Sequence, residues 1–156
     1  MFPKVDKTSP TPDSSEPFTP RAEYPRPILV RDQWQSLNGH WLFRVDPDDR
    51  GLTDAWFDGP WTDAQTITVP FSMESEASGI DEPDGAAVVW YQREVIKPEA
   101  WDHRVVLRIC ASDFLARVFV NGQEVGQHRG GYASFGFDSQ HALMPRSNRI
   151  TIRVED

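Results

Sequence analysis

Phe114-Leu115-Ala116-Arg117-Val118-Phe119-Val120-Asn121-Gly122-Gln123-Glu124-Val125-Gly126-Gln127 is the stretch that decides the fold. Side chains alternate across an extended strand, so Phe114, Ala116, Val118 and Val120 fall on one side. Asn121-Gly122 then gives a strong short hairpin signal. A two-residue type I′ turn needs positive φ at both central positions, which Asn and Gly tolerate. Residues 123–127 are the returning strand.

The same period of two extends outward in both directions. Trp41, Phe43 and Val45 share one face of a strand, with the Asn38-Gly39 turn before it and Asp46-Pro47-Asp48-Asp49 ending it. Ile67 and Val69 form a short alternating pair before Pro70. Residues 88–96 are apolar on both faces in their first half, which predicts a central strand. Val105, Leu107 and Ile109 alternate with polar partners, Phe135, Phe137 and Asp138 suggest a further strand, and Ile150, Ile152 and Val154 make the last. No window sustains a helical period; residues 51–57 and 99–101 are candidates for single helical turns. Short strands joined by turns predict an all-β chain, an antiparallel β-sandwich or barrel. A two-sheet jelly roll solves the edge problem for such a chain. Circular dichroism is expected to show a strand-dominated spectrum, and a helix-dominated one would contradict this reading.

Composition narrows the function. The 156 residues carry 16 Lys and Arg against 24 Asp and Glu, a net charge of −8. That balance argues against nucleic acid and against anionic membrane surfaces as partners. No run approaches the roughly 18 apolar residues of a membrane span, which predicts a soluble protein. A single cysteine, Cys110, excludes an internal disulfide framework and a Cys-rich zinc site. Residues 1–27 hold seven prolines among Ser, Thr and charge, and lack the apolar core of a secretory signal. Residues 1–23 are therefore expected to be a flexible, Pro-rich arm and residues 24–156 the folded domain. Without an export signal the expected location is cytoplasmic.

Chemistry-bearing residues are sparse. No Gly-x-Ser-x-Gly elbow is present. His40, His103, His128 and His141 lie singly, without ligand spacing, so no metal or other cofactor is expected. Asp46, Asp48 and Asp49 suggest a calcium loop at first sight. Arg50 then stands where another oxygen ligand is needed, and a solvated turn is the better reading. Glu74, Glu76, Asp81, Glu82 and Asp84 form the richest carboxylate cluster, within residues 72–87 between two strands. Glycoside hydrolysis needs two carboxylates held about 5 Å apart for retention, and a loop offers no scaffold for that spacing. A loop reaching across to a neighbouring active site fits better, because binding residues concentrate on loops of rigid sandwiches. Aromatic rings are the other candidates, since the apolar face of a sugar can lie on them. Trp34, Trp56, Trp61 and Trp101 fall in irregular segments, whereas Trp41 and Trp90 lie within strands and suit the core. Trp61, in Asp58-Gly59-Pro60-Trp61, is the first choice for an exposed ring. Gly130-Gly131 reads as a tight reversal rather than a phosphate cradle, because no helix follows.

Several segments in order resemble the N-terminal sugar-binding domain of glycoside hydrolase family 2. They are Tyr24-Pro25-Arg26-Pro27, Leu37-Asn38-Gly39-His40-Trp41-Leu42-Phe43, Val69-Pro70-Phe71-Ser72-Met73-Glu74-Ser75 with Ser78-Gly79-Ile80, and Val89-Trp90-Tyr91-Gln92-Arg93. Arg104-Val105-Val106-Leu107-Arg108, Ala116 to Gly122, Gly126 to Tyr132, Phe135-Gly136-Phe137-Asp138 and Asn148 to Val154 complete the series. The resemblance implies a jelly roll of the galactose-binding type. It implies a non-catalytic domain of a retaining β-glycosidase, β-galactosidase-like in the broad sense that includes β-glucuronidases and β-mannosidases. The two catalytic glutamates would lie in a (β/α)8 barrel beyond an immunoglobulin-like domain, both outside this chain, leaving no catalytic residue here. Those two domains and a carbohydrate substrate are the expected partners, with oligomerisation open. Glu74 and Asp81, and Trp61 from the aromatic set, are the expected substrate-facing residues. An autonomous carbohydrate-binding module and a purely structural assembly domain are the alternatives.

Overall fold

Alternation along the strand at Val88–Ile96 sends Val89, Tyr91, Arg93 and Val95 to one face and Val88, Trp90 and Gln92 to the other. Both faces are covered, and the architecture follows from how. The computed structural model of the chain describes residues 19–25 and 31–156. Of the arm expected over residues 1–23, residues 1–18 lie outside the described residues, as do residues 26–30 of the domain expected over residues 24–156.

Eight strands are present among the described residues: β1 (Gly39–Val45), β2 (Gln65–Val69), β3 (Val88–Ile96), β4 (Val106–Ile109), β5 (Leu115–Val120), β6 (Gln123–Arg129), β7 (Phe135–Asp138) and β8 (Ser147–Glu155). Six form a sheet in the order β2-β1-β3-β8-β5-β6, and β4 pairs with β7 in a second sheet. Every pairing is antiparallel. The result is the antiparallel β-sandwich the sequence predicts, with sheets of unequal size. Residues 51–57 form turns instead of a helix, with Asp54 N–H donating to Arg50 O at 2.8 Å and Trp56 N–H to Gly51 O at 2.9 Å. The short 3-10 helix is elsewhere, at Glu76–Ser78.

The hairpin between β5 and β6 turns at Asn121 (φ 51°) and Gly122 (φ 84°), the positive pair that a type I′ turn requires. Asn121 also accepts from Arg149 N–H at 2.8 Å and donates to Asn148 Oδ1 at 2.8 Å, tying the hairpin to β8. β5 differs from expectation at both ends. Phe114 precedes the strand and is 41% exposed, whereas Ala116, Val118 and Val120 are buried; Phe119, assigned outward by simple alternation, is 2% exposed.

Phe119 is buried because the large sheet has two cores. One, between the sheets, holds Trp41, Phe43, Ile67, Met73, Val89, Val120 and Ile150, with Leu107 and Val125 packed against it. The other lies under residues 46–64 and holds Trp61, Val88, Trp90 and Phe119 with Trp56 and Phe57. Phe57 stacks on Phe119 at 4.6 Å between centroids. Each large side chain so buried contributes about 1.5–3 kcal/mol.

Asp46 anchors that second cover, and here the expectation of a solvated turn is corrected. It is 2% exposed. Its carboxylate accepts from Arg50 N–H and Gly51 N–H at 2.8 Å and from Trp90 Nε1–H at 2.9 Å. A carboxylate surrounded by donors is cheap to bury, because each charge-assisted bond replaces one to water. Asp48 and Asp49 do face solvent. Asp49 nevertheless reaches down to Arg153, whose guanidinium it holds at 2.6 Å, with Glu155 at 2.8 Å. Burial works against the charge on Arg153, and the two carboxylates outweigh it, so its pKa lies above the ordinary value.

Asp46→Ala is expected to lower the unfolding free energy by roughly 2–4 kcal/mol, because two buried donors, Gly51 N–H and Trp90 Nε1–H, and the part-buried Arg50 N–H lose their acceptor. Asp48→Ala should change it by less than about 0.5 kcal/mol. Urea denaturation of both variants checks the contrast.

Candidate functional site

Residues 70–87 leave β2 beside Gly39, which pairs with Val69, and enter β3 beside Glu155, which pairs with Val88. These positions are at opposite ends of the sheet, so the segment travels the length of the sandwich. It is a folded flap. Met73 is 4% exposed and belongs to the inter-sheet core, with Ile80 and Ala86 packed against it. Buried Ser78 accepts from Ile80 N–H at 3.0 Å and donates to Met73 O at 3.5 Å. Glu82 N–H donates to Met73 O at 3.0 Å, and Gly85 N–H to Glu82 O at 3.2 Å. Between these anchors Glu74, Glu76, Asp81, Glu82 and Asp84 all face solvent. Asp81 adopts φ 56°, a left-handed conformation that Asp tolerates better than most residues.

Below the flap lies Tyr91. Burial, and then the negative charge of Glu74, push its phenol up from about 10 to about 12. Glu74 is therefore near enough to the half-buried Tyr91 for its charge to act on the phenol. Solvated carboxylates on a folded flap suit the acceptance of hydrogen bonds from hydroxyl groups of a sugar or its aglycone, away from any anionic substituent. A proton-transferring pair needs convergent carboxyls in a dry cleft, which this surface does not offer.

Trp61 is on the opposite face of the sheet, in the second core, so the three expected substrate-facing residues do not form one surface. The expectation of an exposed ring is overturned: Trp61 is 9% exposed. The cause is Gln92, fully buried in β3, which accepts from Trp61 N–H at 3.0 Å and donates to Gly59 O at 2.9 Å. It staples the Asp-Gly-Pro-Trp turn to the sheet. The indole donates to Trp56 O at 2.8 Å, and the Arg44 guanidinium lies 4.8 Å from the ring centroid. Trp41 and Trp90 are in the cores, as expected, at 5% and 0% exposure.

The most exposed large aromatic among the described residues is Tyr132, at 97%. Sequence reasoning noted it only as a neighbour of the Gly-Gly reversal, and no periodic signal marks a loop-tip ring as free. Arg93 holds Leu37 O and Asn38 O at 2.7 and 2.9 Å, bracing the entry to β1; burial lowers its pKa. On the chain before β1, Asn38 Nδ2 donates to Pro20 O at 3.1 Å and Arg21 O at 3.3 Å. Two open grooves, of ≈ 630 and ≈ 300 Å³, are lined by residues 94–99 with Arg146 and by His40, Thr66 and Arg93 among others. Neither touches the acidic flap. His128 stacks on Phe135 at 4.1 Å. Among the described residues no three His, Cys, Asp or Glu side chains are grouped to hold a metal ion.

The chain is thus an antiparallel β-sandwich whose main sheet carries an apolar core on each face of its central strands. Residues 34–155 match the family described as glycosyl hydrolases family 2, sugar binding domain, and the chain belongs to that family. It is 35% identical over 135 residues to a β-glucuronidase of Paenibacillus borealis, and 35% identical over 149 residues to the human β-glucuronidase. Each match covers 85% of this chain and 22% of the relative's length. Among solved structures, a β-glucuronidase from Ruminococcus gnavus in complex with a C6-substituted uronic isofagomine superposes with a TM-score of 0.73 at 25% identity. It covers 81% of this chain and 23% of that one. A β-glucuronidase from an uncultured Clostridium species gives 0.71 at 29% identity, over 81% of this chain and 23% of that one.

The unfolded Tyr91 phenol ionises near pH 10 and the folded one near 12. The stability this provides is fully present below pH 10 and is lost as pH rises through 12. Stability should therefore fall between about pH 9 and about pH 11.5 by up to roughly 2 kcal/mol less in Tyr91→Phe than in the unaltered chain. Urea midpoints across that window measure the difference.

Proposed function

We propose that this chain is the non-catalytic sugar-binding-family domain of a retaining β-glycosidase, and that the parent enzyme acts on β-glucuronides. The observation that carries this is the family match over residues 34–155, together with relatives named β-glucuronidase of which this chain spans 22%. The catalytic carboxylates then belong to another domain. The flap over residues 72–87 is the part of this one that lends acceptors to the pocket, through Glu74 and Asp81. Its folded anchors support that role, because a contribution to a pocket requires a loop held in place.

An autonomous carbohydrate-binding module is the second reading, and exposed Tyr132 favours it. Trp61, the ring first expected to serve such a module, is buried and does not.

The parent protein is expected to hydrolyse p-nitrophenyl β-D-glucuronide in preference to the galactoside and mannoside, and this chain alone to hydrolyse none. Strong hydrolysis by the pure chain contradicts the proposal. In the parent, Glu74→Gln with Asp81→Asn should raise KM by about 3–10-fold with kcat within about two-fold, as expected for hydrogen bonds made equally in the ground and transition states. Titration calorimetry of the isolated chain against oligosaccharides separates the readings, with sub-millimolar binding favouring the module.

A further inference from the structure

The main sheet splits at one end. β1 and β3 pair from Val45 with Val89 as far as Leu42 with Gln92, and the ladder stops there. Beyond that point residues 39–41 stay with β2 and residues 93–96 stay with β8. The two strands therefore part and leave a fork between them. Backbone groups alternate between the two edges of a strand, and Asp46 N–H, at the end of β1, donates to Val88 O at 2.9 Å. The even-numbered residues of β1 thus turn their amides toward β3, and His40 is the next such residue after Leu42. By the same alternation Glu94 is the next after Gln92 on β3. No register pair joins His40 to Glu94, so their backbone donors and acceptors face the fork without a strand partner.

Arg93 bridges one side of the fork. Its Nη1 donates to Leu37 O at 2.7 Å and to Asn38 O at 2.9 Å, so a side chain takes the place of the missing ladder bonds. The other side is open, and the groove of ≈ 300 Å³ lies there. It is the face of Leu42 and Gln92, and Pro60 and Trp61 of the 46–64 cover border it. His40, Thr66 and Glu94 line it and are exposed. None of these side chains has a hydrogen-bond, ion-pair or ring partner among the described residues. The groove is thus bordered by a carboxylate that only accepts, by a hydroxyl and an imidazole that both donate and accept, and by strand-edge amides. Donors and acceptors mixed around a small concave space are what a polyhydroxylated ring satisfies. Glu94 carries the negative charge on the open side and opposes an anion, while the Arg93 guanidinium is committed to the entry of β1.

We propose that the fork between β1 and β3 is a binding site for one neutral sugar ring, held by hydrogen bonds to His40, Thr66 and Glu94 rather than by stacking on an aromatic. The site is separate from the acidic flap and does not depend on what the parent protein hydrolyses. A ring enclosed on one side only is held weakly, with a dissociation constant of about 1–20 mM. That is weaker than the sub-millimolar grip of an autonomous module. Trp61 serves here as part of the wall, and the second core stays closed.

Amide chemical shifts of the 156-residue chain, followed by nuclear magnetic resonance during titration with methyl β-D-glucopyranoside to about 100 mM, test this. Saturable shifts are expected at His40, Thr66 and Glu94, with Glu74, Asp81 and Tyr132 unmoved. Thr66→Val, which suits an exposed strand position, and Glu94→Ala should each weaken binding by about 3–10-fold. Unchanged shifts in the distant strands β5 and β6 of each variant verify that it is folded. Methyl β-D-glucuronide should bind at least about three-fold more weakly than the glucoside, because its carboxylate meets Glu94. Absence of shifts at His40, Thr66 and Glu94, affinity that neither variant changes, or a glucuronide that binds as tightly as the glucoside overturns the proposal. Shifts at the fork from a blocked alanine dipeptide, with none from the sugar, assign the open strand edges to a peptide and also overturn it.

Discussion

One carboxylate decides whether the large sheet can be buried on both faces. Trp90 stands in a central strand and points away from the inter-sheet core, carrying an indole N–H that needs an acceptor. Asp46 supplies it at 2.9 Å and, with the same side chain, gathers the amides of Arg50 and Gly51. That fixes the start of the segment which then lays Trp56, Phe57 and Trp61 over Trp90 and Phe119. Gln92 repeats the device two residues on, bonding Gly59, Trp61 and Thr151. Polar side chains thus direct where an apolar cover closes, and their geometry fixes one arrangement of it.

Sealing both faces has a functional consequence. With both faces of the central strands covered, recognition is left to loops, strand ends and the rim, where the groove beside His40 and Thr66 lies. The acidic flap keeps its carboxylates in water while Met73 and Ser78 hold its backbone, and the β6–β7 loop does the same for Tyr132. Both are polar excursions from a strand scaffold, the arrangement in which loops best carry function. An aromatic sugar platform on the 46–64 segment would need the second core to open.

Fold was far more legible in the sequence than site. The Asn121-Gly122 hairpin, the central place of the 88–96 strand and the succession of eight strands along the chain follow from period-two alternation and turn chemistry, which are local. What alternation cannot show is a second cover. Phe119 reads as outward-facing until Phe57, 62 residues earlier, arrives to stack on it. Asp46 reads as a turn carboxylate for the same reason, since its partner Trp90 is distant in sequence. Trp61 looks free because Asp-Gly-Pro is a loop signal, yet Gln92 pins it from a strand across the molecule. The carboxylates of the flap were legible as a cluster, and their exposure agrees with their composition. Tyr132 was overlooked because an exposed ring has no pattern of its own.

The account depends on the 46–64 cover being closed in the native state. Hydrogen exchange of the Trp61 and Trp90 indole N–H groups, followed by nuclear magnetic resonance, reads this directly. Exchange of both only through global unfolding, with the same denaturant dependence as the slowest strand amides, is the predicted result. Exchange of the two indoles through an independent local opening that leaves the strand amides protected would contradict it.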